Sequence, residues 1–235
     1  MKRDVIGEMR DILAGEATKD AYRRLVDLLN YNPEVAPVAI PFLRGHLDTW
    51  ADPDWRRVTT NYIIPEIAVC RELSLPMATS KTAAIFAADP YLTHLTHLSV
   101  QGSAVGPKGI KALVTSPYLV NLTYLDLGGC YFGDKGVTAL VKSCTLTHLT
   151  HLNLNNNLIS DAGVITIASS PTFKNLTHLN LGLNQIGDEG AAALAASPHL
   201  TNLAHISFHL NIISPRGVEI LTTSPNFKNT ELVLV

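Results

Sequence analysis

Cysteine is scarce in this sequence: its 235 residues contain three, Cys70, Cys130 and Cys144. An odd number without the spacing of metal ligands argues against a disulfide framework and fits a reducing compartment. The first twenty residues also lack an apolar run long enough for a signal peptide or a membrane span. We therefore expect a cytoplasmic protein that does not enter the membrane, and signal-independent export as an effector stays open.

The chain also lacks a large excess of either charge, because it has 18 Lys and Arg residues and 20 Asp and Glu residues. Nucleic-acid-binding proteins need a basic surface, so we expect no nucleic-acid partner. Histidine, by contrast, is concentrated in one region, since eight of the nine lie between His94 and His209. Hydrophobic residues make up 46% of the chain, which is ample for a core.

A fixed internal period organises the second part of the chain. The pattern LxxLxLxxN recurs every 27 residues and places an aliphatic residue at Leu98, Leu125, Leu152, Leu179 and Ile206. Such a period indicates a solenoid of stacked units, each of which packs against its neighbours. Within a unit the hydrophobic pattern changes from the period of a strand to the spacing of a helix. Each unit therefore predicts one short strand followed by one helix.

Three polar or small positions recur in every unit. The ninth position is predicted to turn inward and satisfy buried backbone groups. The start of the helix is predicted to carry a Gly or Ser N-cap, and a later glycine to be required by tight packing or an unusual backbone angle. The ninth positions are Ser103, Cys130, Asn157, Asn184 and Asn211; the caps are residues 106, 133, 160, 187 and 214; the later glycines are residues 109, 136, 163, 190 and 217.

The first 76 residues lack this period and are predicted to form several short helices, one of them following Asp52 and burying Trp55 and Val58. A helical cap there would cover the leucine core and the open backbone edge of the first repeat. We therefore divide the chain into a capping region, 1–76, and a solenoid, 77–235, with five full repeats and a partial one at each end.

The repeats resemble the ribonuclease-inhibitor-like class of leucine-rich repeats in their period, in the strand pattern LxxLxLxx(N/C) and in the helix pattern GDxGxxxL. The motif SPxLxNLTxLxL is bacterial in style. The resemblance covers residues from about 77 to 235. It implies an α/β fold: a curved solenoid with parallel strands on its concave face and helices on its convex face. It also implies that another protein binds on the concave face.

Three columns of side chains are predicted to face solvent on the concave face, because in-register strands stack equivalent positions about 4.8 Å apart. The first column is His97, Tyr124, His151, His178 and His205; the second is Ser99, Asp126, Asn153, Asn180 and Ser207; the third is Gln101, Gly128, Asn155, Gly182 and His209. The predicted partner-binding residues are His97, Tyr124, Asp126, His151, Asn153, Asn155, His178, Asn180, His205 and His209, together with Val233 and Val235 at the C-terminal edge.

The first column has three interpretations. Amphipathic rings beside amides and hydroxyls have the character of a protein interface. A residue copied with each repeat would give the same row without any function. A zinc site shared by neighbouring histidines and Asp126 would need more convergent ligands than a regular row provides. We expect neither a metal nor a cofactor.

The sequence predicts a non-catalytic module that binds a protein partner. No serine or cysteine nucleophile is placed with Asp126 and His151, and an open sheet forms no closed pocket. The alternatives are a regulator of a partner enzyme such as a GTPase, a bacterial effector and a metal-dependent enzyme. A further alternative is a structural protein that forms homo-oligomers through an apolar edge strand at Val233 and Val235.

Overall fold

A computed structural model describes residues 4–15, Ala21, Arg24, Leu25, Leu28, the strand at 57–59 and the unbroken stretch 71–234. The strands are β1 (Arg57–Thr59), β2 (Glu72–Ser74), β3 (His97–Ser99), β4 (Tyr124–Asp126), β5 (His151–Asn153), β6 (His178–Asn180), β7 (His205–Ser207) and β8 (Glu231–Val233). The helices are α1 (Val5–Leu13), α2 (Ser80–Ala87), α3 (Gly106–Val114), α4 (Gly133–Val141), α5 (Asp161–Ala168), α6 (Asp188–Ala195) and α7 (Pro215–Thr223), and short 3-10 helices span Pro90–His94, Pro171–Phe173 and Pro225–Phe227.

The strands form one parallel sheet in which each strand pairs with its neighbours in sequence, in the order β1 to β8. From β2 to β8 a helix lies between each pair of consecutive strands, and successive helices pack side by side. This alternation of strand and helix is the predicted α/β solenoid, which the structure confirms. None of the helices in the described ranges is long and apolar enough to cross a membrane.

Strand register follows the period of the sequence. His97 is opposite Tyr124, and His151, His178 and His205 continue the same row in steps of 27 residues. The row continues at both ends, because Glu72 of β2 is opposite His97 and Glu231 of β8 is opposite His205. The middle residue of each strand from β2 to β7 is buried, and its two neighbours are at least partly exposed except at Asp126 and Ser207.

The ninth position of each unit is turned inward, as predicted. The Asn184 side chain accepts hydrogen bonds from the backbone amides of Asn157 and Ile159, each at 3.0 Å. Its amide nitrogen donates to the carbonyl oxygens of Leu154 and Leu181 at 3.0 and 2.9 Å. Asn157 and Asn211 make equivalent bonds. Ser103 donates to Leu75 O at 2.8 Å, and Cys130 Sγ donates to Val100 O at 3.2 Å.

Helix starts are linked from one repeat to the next by carboxylates. Asp161, in the first turn of α5, accepts from Gly187 N at 2.7 Å and from Gly190 N at 2.9 Å, both at the start of α6. Asp188 accepts in the same way from the backbone amide and hydroxyl of Ser214. Ser160, Gly187 and Ser214 are N-caps as predicted. The prediction is wrong at Gly106 and Gly133, which are the first residues of α3 and α4 and adopt positive φ.

The N-terminal region contains two strands of the sheet. The helix predicted to follow Asp52 is wrong at Arg57–Thr59, which forms β1 because its backbone pairs with Glu72–Ser74 of β2. The sheet therefore begins before residue 77, and the extent of a separate helical cap stays a prediction. Trp50 and Trp55 lie outside the described residues.

Candidate binding face

The exposed face of the sheet carries a continuous row of rings, named here the ring column: His97, Tyr124, His151, His178 and His205. Consecutive ring centroids are 5.4, 5.9, 4.1 and 5.9 Å apart. The closest pair, His151 and His178, is stacked with planes 10° apart. The strand register places these rings side by side, so the predicted first column exists as a physical surface.

Threonine hydroxyls hold three of these histidines. Thr96 Oγ1 lies 2.8 Å from His97 Nδ1, and the same contact is 2.9 Å for Thr150 with His151 and for Thr177 with His178. His205 follows Ala204, which has no hydroxyl. The ring column is therefore anchored to the backbone of its own strands at three of its four histidines.

Neighbouring rings affect ionisation within the ring column. Partial burial lowers the pKa of His151 below its usual value, and the adjacent His178 and the more distant His97 lower it further. Partial burial also raises the pKa of Tyr124, with an additional contribution from the negative charge of Asp126. His151 therefore stays neutral to a lower pH than a free histidine, and Tyr124 stays a neutral hydroxyl.

The second column is less exposed than predicted, because Asp126 and Ser207 are buried. Asp126 Oδ1 accepts from Gly128 N at 3.0 Å and from Asn153 Nδ2 at 2.9 Å. Burial raises the pKa of Asp126, and these hydrogen bonds with one from Ser99 partly offset the rise. Asn180 accepts in the same way from Gly182 N. The second column thus mainly fixes the turn after each strand, and Asn153 and Asn180 remain partly exposed.

In the third column two large side chains lie over glycines of the preceding repeat. Asn155 occupies the space where a Cβ on Gly128 would stand, and the His209 ring does the same at Gly182. His209 Nδ1 also lies 2.8 Å from Ser207 Oγ. Positions with a large side chain therefore alternate along this column with glycines.

Two shallow depressions follow the ring column. One of about 420 Å³ is lined by Glu72, Ser74, His97, Ser99, Tyr124 and His151 together with buried leucines. The other, of about 170 Å³, lies among Tyr124, His151, Asn153, His178, Asn180 and His205. These depressions bring together most of the predicted binding residues. Asp126, Asn155 and His209 lie outside both linings. Val233 is half-buried opposite Ser207, and Val235 lies outside the described residues.

Metal binding has no support in the geometry of the described residues, where no group of three or more His, Cys, Asp or Glu side chains could hold an ion. The stacked rings of His151 and His178 lie almost parallel, so their nitrogen lone pairs do not converge on one point. Zinc requires convergent ligands.

Sequence reasoning missed an apolar rim beside the exposed sheet face. It consists of Tyr131, Leu158, Leu183, Leu210 and Ile212, in the loops between strands and helices, and each of these side chains is exposed. Leu183 and Leu210 adopt φ of 56° and 54°, at the position where earlier repeats have Gly102, Gly129 and Asn156. The sequence did contain a signal for this rim. At one repeat position, residues that tolerate positive φ are replaced by leucine.

Replacing Leu210 by asparagine should stabilise the free protein. Leucine at positive φ costs about 1 kcal/mol or more, whereas asparagine tolerates this conformation. Leu210 is 68% exposed, so little packing is lost. We expect a gain of up to about 1 kcal/mol in urea denaturation.

Ile212→Asn is the matched control, because Ile212 is 72% exposed and its φ is not positive. Its stability should change by less than about 0.5 kcal/mol. A loss of stability in Leu210→Asn alone would show that the leucine is held by packing.

Comparison with known proteins agrees with the repeats. The family model described as Leucine Rich repeat matches residues 91–114, 118–141, 145–168 and 174–195. The matched part of this chain therefore consists of leucine-rich repeats, and its strands belong to a single parallel sheet. Leucine-rich repeats are generally protein-interaction modules. The ribonuclease-inhibitor-like class and a bacterial origin stay predictions, and no curated protein sequence matches the chain.

Several solved structures are similar to this chain. Internalin C2 of Listeria monocytogenes has 25% sequence identity and a TM-score of 0.47, over 76% of this chain and 66% of that chain. A complex of TLR13 with ssRNA13 has 17% identity and a TM-score of 0.38, over 72% of this chain and 33% of that chain. A plant ice-binding protein has 14% identity and a TM-score of 0.33, over 67% and 57%.

Proposed function

We propose that this protein is a non-catalytic module that binds a protein partner through the exposed face of its sheet. The observation that carries the proposal is the ring column, which is stacked, ordered by threonines and not required by the core. Cytoplasmic location is part of the proposal.

Rigid aromatic surface supports binding because little side-chain entropy is lost when a partner covers it. The rings of His151 and His178 are restrained by each other and by Thr150 and Thr177 before any partner arrives. The half-buried Asn153 and Asn180 add hydrogen-bonding groups beside them. Rings next to amides are typical of protein interfaces.

Two other interpretations make different predictions for the same surface. A row that is merely copied has no reason to keep an aromatic ring where histidine is lost, yet Tyr124 stacks with His97 at that position. A regulator of a partner enzyme such as a GTPase, or an effector, would use this face as well, and the identity of the partner would reveal it. Self-association through β8 would instead depend on Val233.

Replacing Tyr124, His151, His178 and His205 together by alanine should abolish capture of the partner. We would compare the natural protein with this variant in affinity pull-downs from lysates of the source organism and of a eukaryotic host. Loss of the stacked surface should weaken binding by more than tenfold, because hot-spot truncations cost about 2 kcal/mol or more.

The matched control is His199→Ala, since His199 lies outside the three columns and follows α6. It should retain every partner of the natural protein. Identical protein sets from all three samples would contradict the proposal. Unchanged circular dichroism of the variant would confirm that its fold is intact.

A further inference from the structure

Each threonine that precedes a histidine of the ring column has two partners for one hydroxyl group. Thr150 Oγ1 lies 2.9 Å from His151 Nδ1 and also 3.1 Å from the carbonyl oxygen of Thr123. Thr177 repeats this arrangement with His178 and Thr150 O, at 2.9 and 3.1 Å. Thr96 has the same two partners, His97 Nδ1 and Arg71 O.

A hydroxyl has one proton and can donate only once. A carbonyl oxygen can only accept, so the Thr150 proton points to Thr123 O and its oxygen accepts from His151 Nδ1–H. The opposite assignment would leave two oxygens 3.1 Å apart without a proton between them. A neutral histidine with a protonated Nδ1 has a bare lone pair on Nε2. Nε2 of each threonine-bound histidine is therefore a hydrogen-bond acceptor.

The charges on the same face favour donors in a partner. In the three columns from β2 to β8, the charged side chains of the described residues are Glu72, Asp126 and Glu231, all acidic. Glu72 and Glu231 stand at the two ends of the ring column. Arginine matches this surface best, because its planar guanidinium donates several hydrogen bonds and also stacks on aromatic faces.

We propose that the ring column binds a protein segment that carries arginine side chains, with Thr96, Thr150 and Thr177 as positioning residues that keep Nε2 an acceptor. This inference rests on the proposed function, and it adds the chemistry of the partner. His205 serves as an internal control, because Ala204 stands where the other three histidines have a threonine.

The tautomers can be read directly by long-range proton–nitrogen NMR of the folded protein at a pH above the histidine pKa. We expect His97, His151 and His178 to be protonated at Nδ1, and His205 to differ from them. Thr150→Val and Thr177→Val should release His151 and His178 from this tautomer. Thr150→Ser and Thr177→Ser should restore it, because serine keeps the hydroxyl. Protonation of Nε2 in the natural protein, or the same tautomer at His205, would overturn the role of the threonines.

The partner chemistry is tested in the same spectra with two probes, an arginine–glycine peptide and a glutamate–glycine peptide of equal length. We expect the first to shift the Nε2 resonances of His151 and His178, and the second to leave them unchanged. The paired valine variants should weaken the response to the arginine peptide several-fold, and the serine variants should retain it.

The other possible results show which of the two proposals fails, the recognition of arginine or the binding of a protein partner. Equal shifts with both peptides, or no shift with either, overturn the inference about arginine whatever the tautomers are. The proposed function fails separately, when the four-fold alanine variant captures the same proteins as the natural chain.

Discussion

Replacing Asn184 by alanine should lower the free energy of unfolding by about 4 kcal/mol, since leaving a buried polar group unsatisfied costs roughly 1–3 kcal/mol. The substitution leaves the amides of Asn157 and Ile159 without their acceptor. It also removes the donor to Leu154 O and Leu181 O. Asn184 is 8% exposed, so water reaches these groups poorly in the folded repeat.

Urea denaturation gives the total loss, and hydrogen exchange locates it at the amides of Asn157 and Ile159. Local opening can precede global unfolding in a solenoid, because each repeat packs only against its neighbours. Asn184→Ser should lose less, since Ser103 occupies the same repeat position and bonds Leu75 O.

The control for this prediction is Asn202→Ala. The exposed Asn202 side chain donates one hydrogen bond, to Lys174 O at 2.9 Å, and water replaces it when the side chain is removed. The loss should stay below about 1 kcal/mol. Equal losses of unfolding free energy at Asn184 and Asn202 would show that the inward side chains of the ninth position do not stabilise the repeats.

Gly190→Ala should lower the free energy of unfolding by about 2–3 kcal/mol, the usual cost of overpacking. A Cβ at this position would lie 2.5 Å from Asp161 Oδ1 and 2.9 Å from Ile186 Cγ2. The Asp161 carboxylate would have to move, although it accepts from Gly187 N and Gly190 N. The effect opposes helix propensity, which favours alanine over glycine by about 1 kcal/mol.

A double-mutant cycle with Asp161→Ala isolates the cause, because removing the carboxylate removes the close contact. Gly190→Ala should then cost less than in the natural protein, with a coupling of about 1 kcal/mol or more. Gly102→Ala is the control for backbone angle, since Gly102 has a φ of 69° and nothing lies within 4 Å of an added Cβ. Its cost should be about 1 kcal/mol from conformation alone. Strictly additive costs in the cycle would contradict close packing as the role of Gly190.

The repeat glycine shows where sequence reasoning stopped. Its recurrence predicted either tight packing or an unusual backbone angle, and both explanations fit a glycine equally well. The structure chooses packing at Gly190, because the carboxylate of the preceding repeat occupies the space of a Cβ. That carboxylate belongs to a residue 29 positions earlier, and a pattern within one repeat does not contain the contact.

The second column shows the same limit for exposure. Alternation along β4 predicted that Asp126 faces solvent, whereas the structure buries it. It is buried because Gly128 N and Asn153 Nδ2 close over its carboxylate, and Asn153 comes from the next repeat. Exposure depends on these neighbours, which the alternation rule does not describe.

The sequence by itself determined the repeating α/β unit, the register of β3 to β7, the inward ninth position and the membership of the ring column. These features depend on the spacing of residues within one 27-residue period, and stacking copies that spacing from repeat to repeat. Only the tertiary structure decided the burial of Asp126, the contact of Gly190 with Asp161, the pairing of β1 with β2 and the apolar rim around Leu183 and Leu210. Each of these arises between chain segments brought together by folding, where the packing of neighbours fixes burial and backbone conformation.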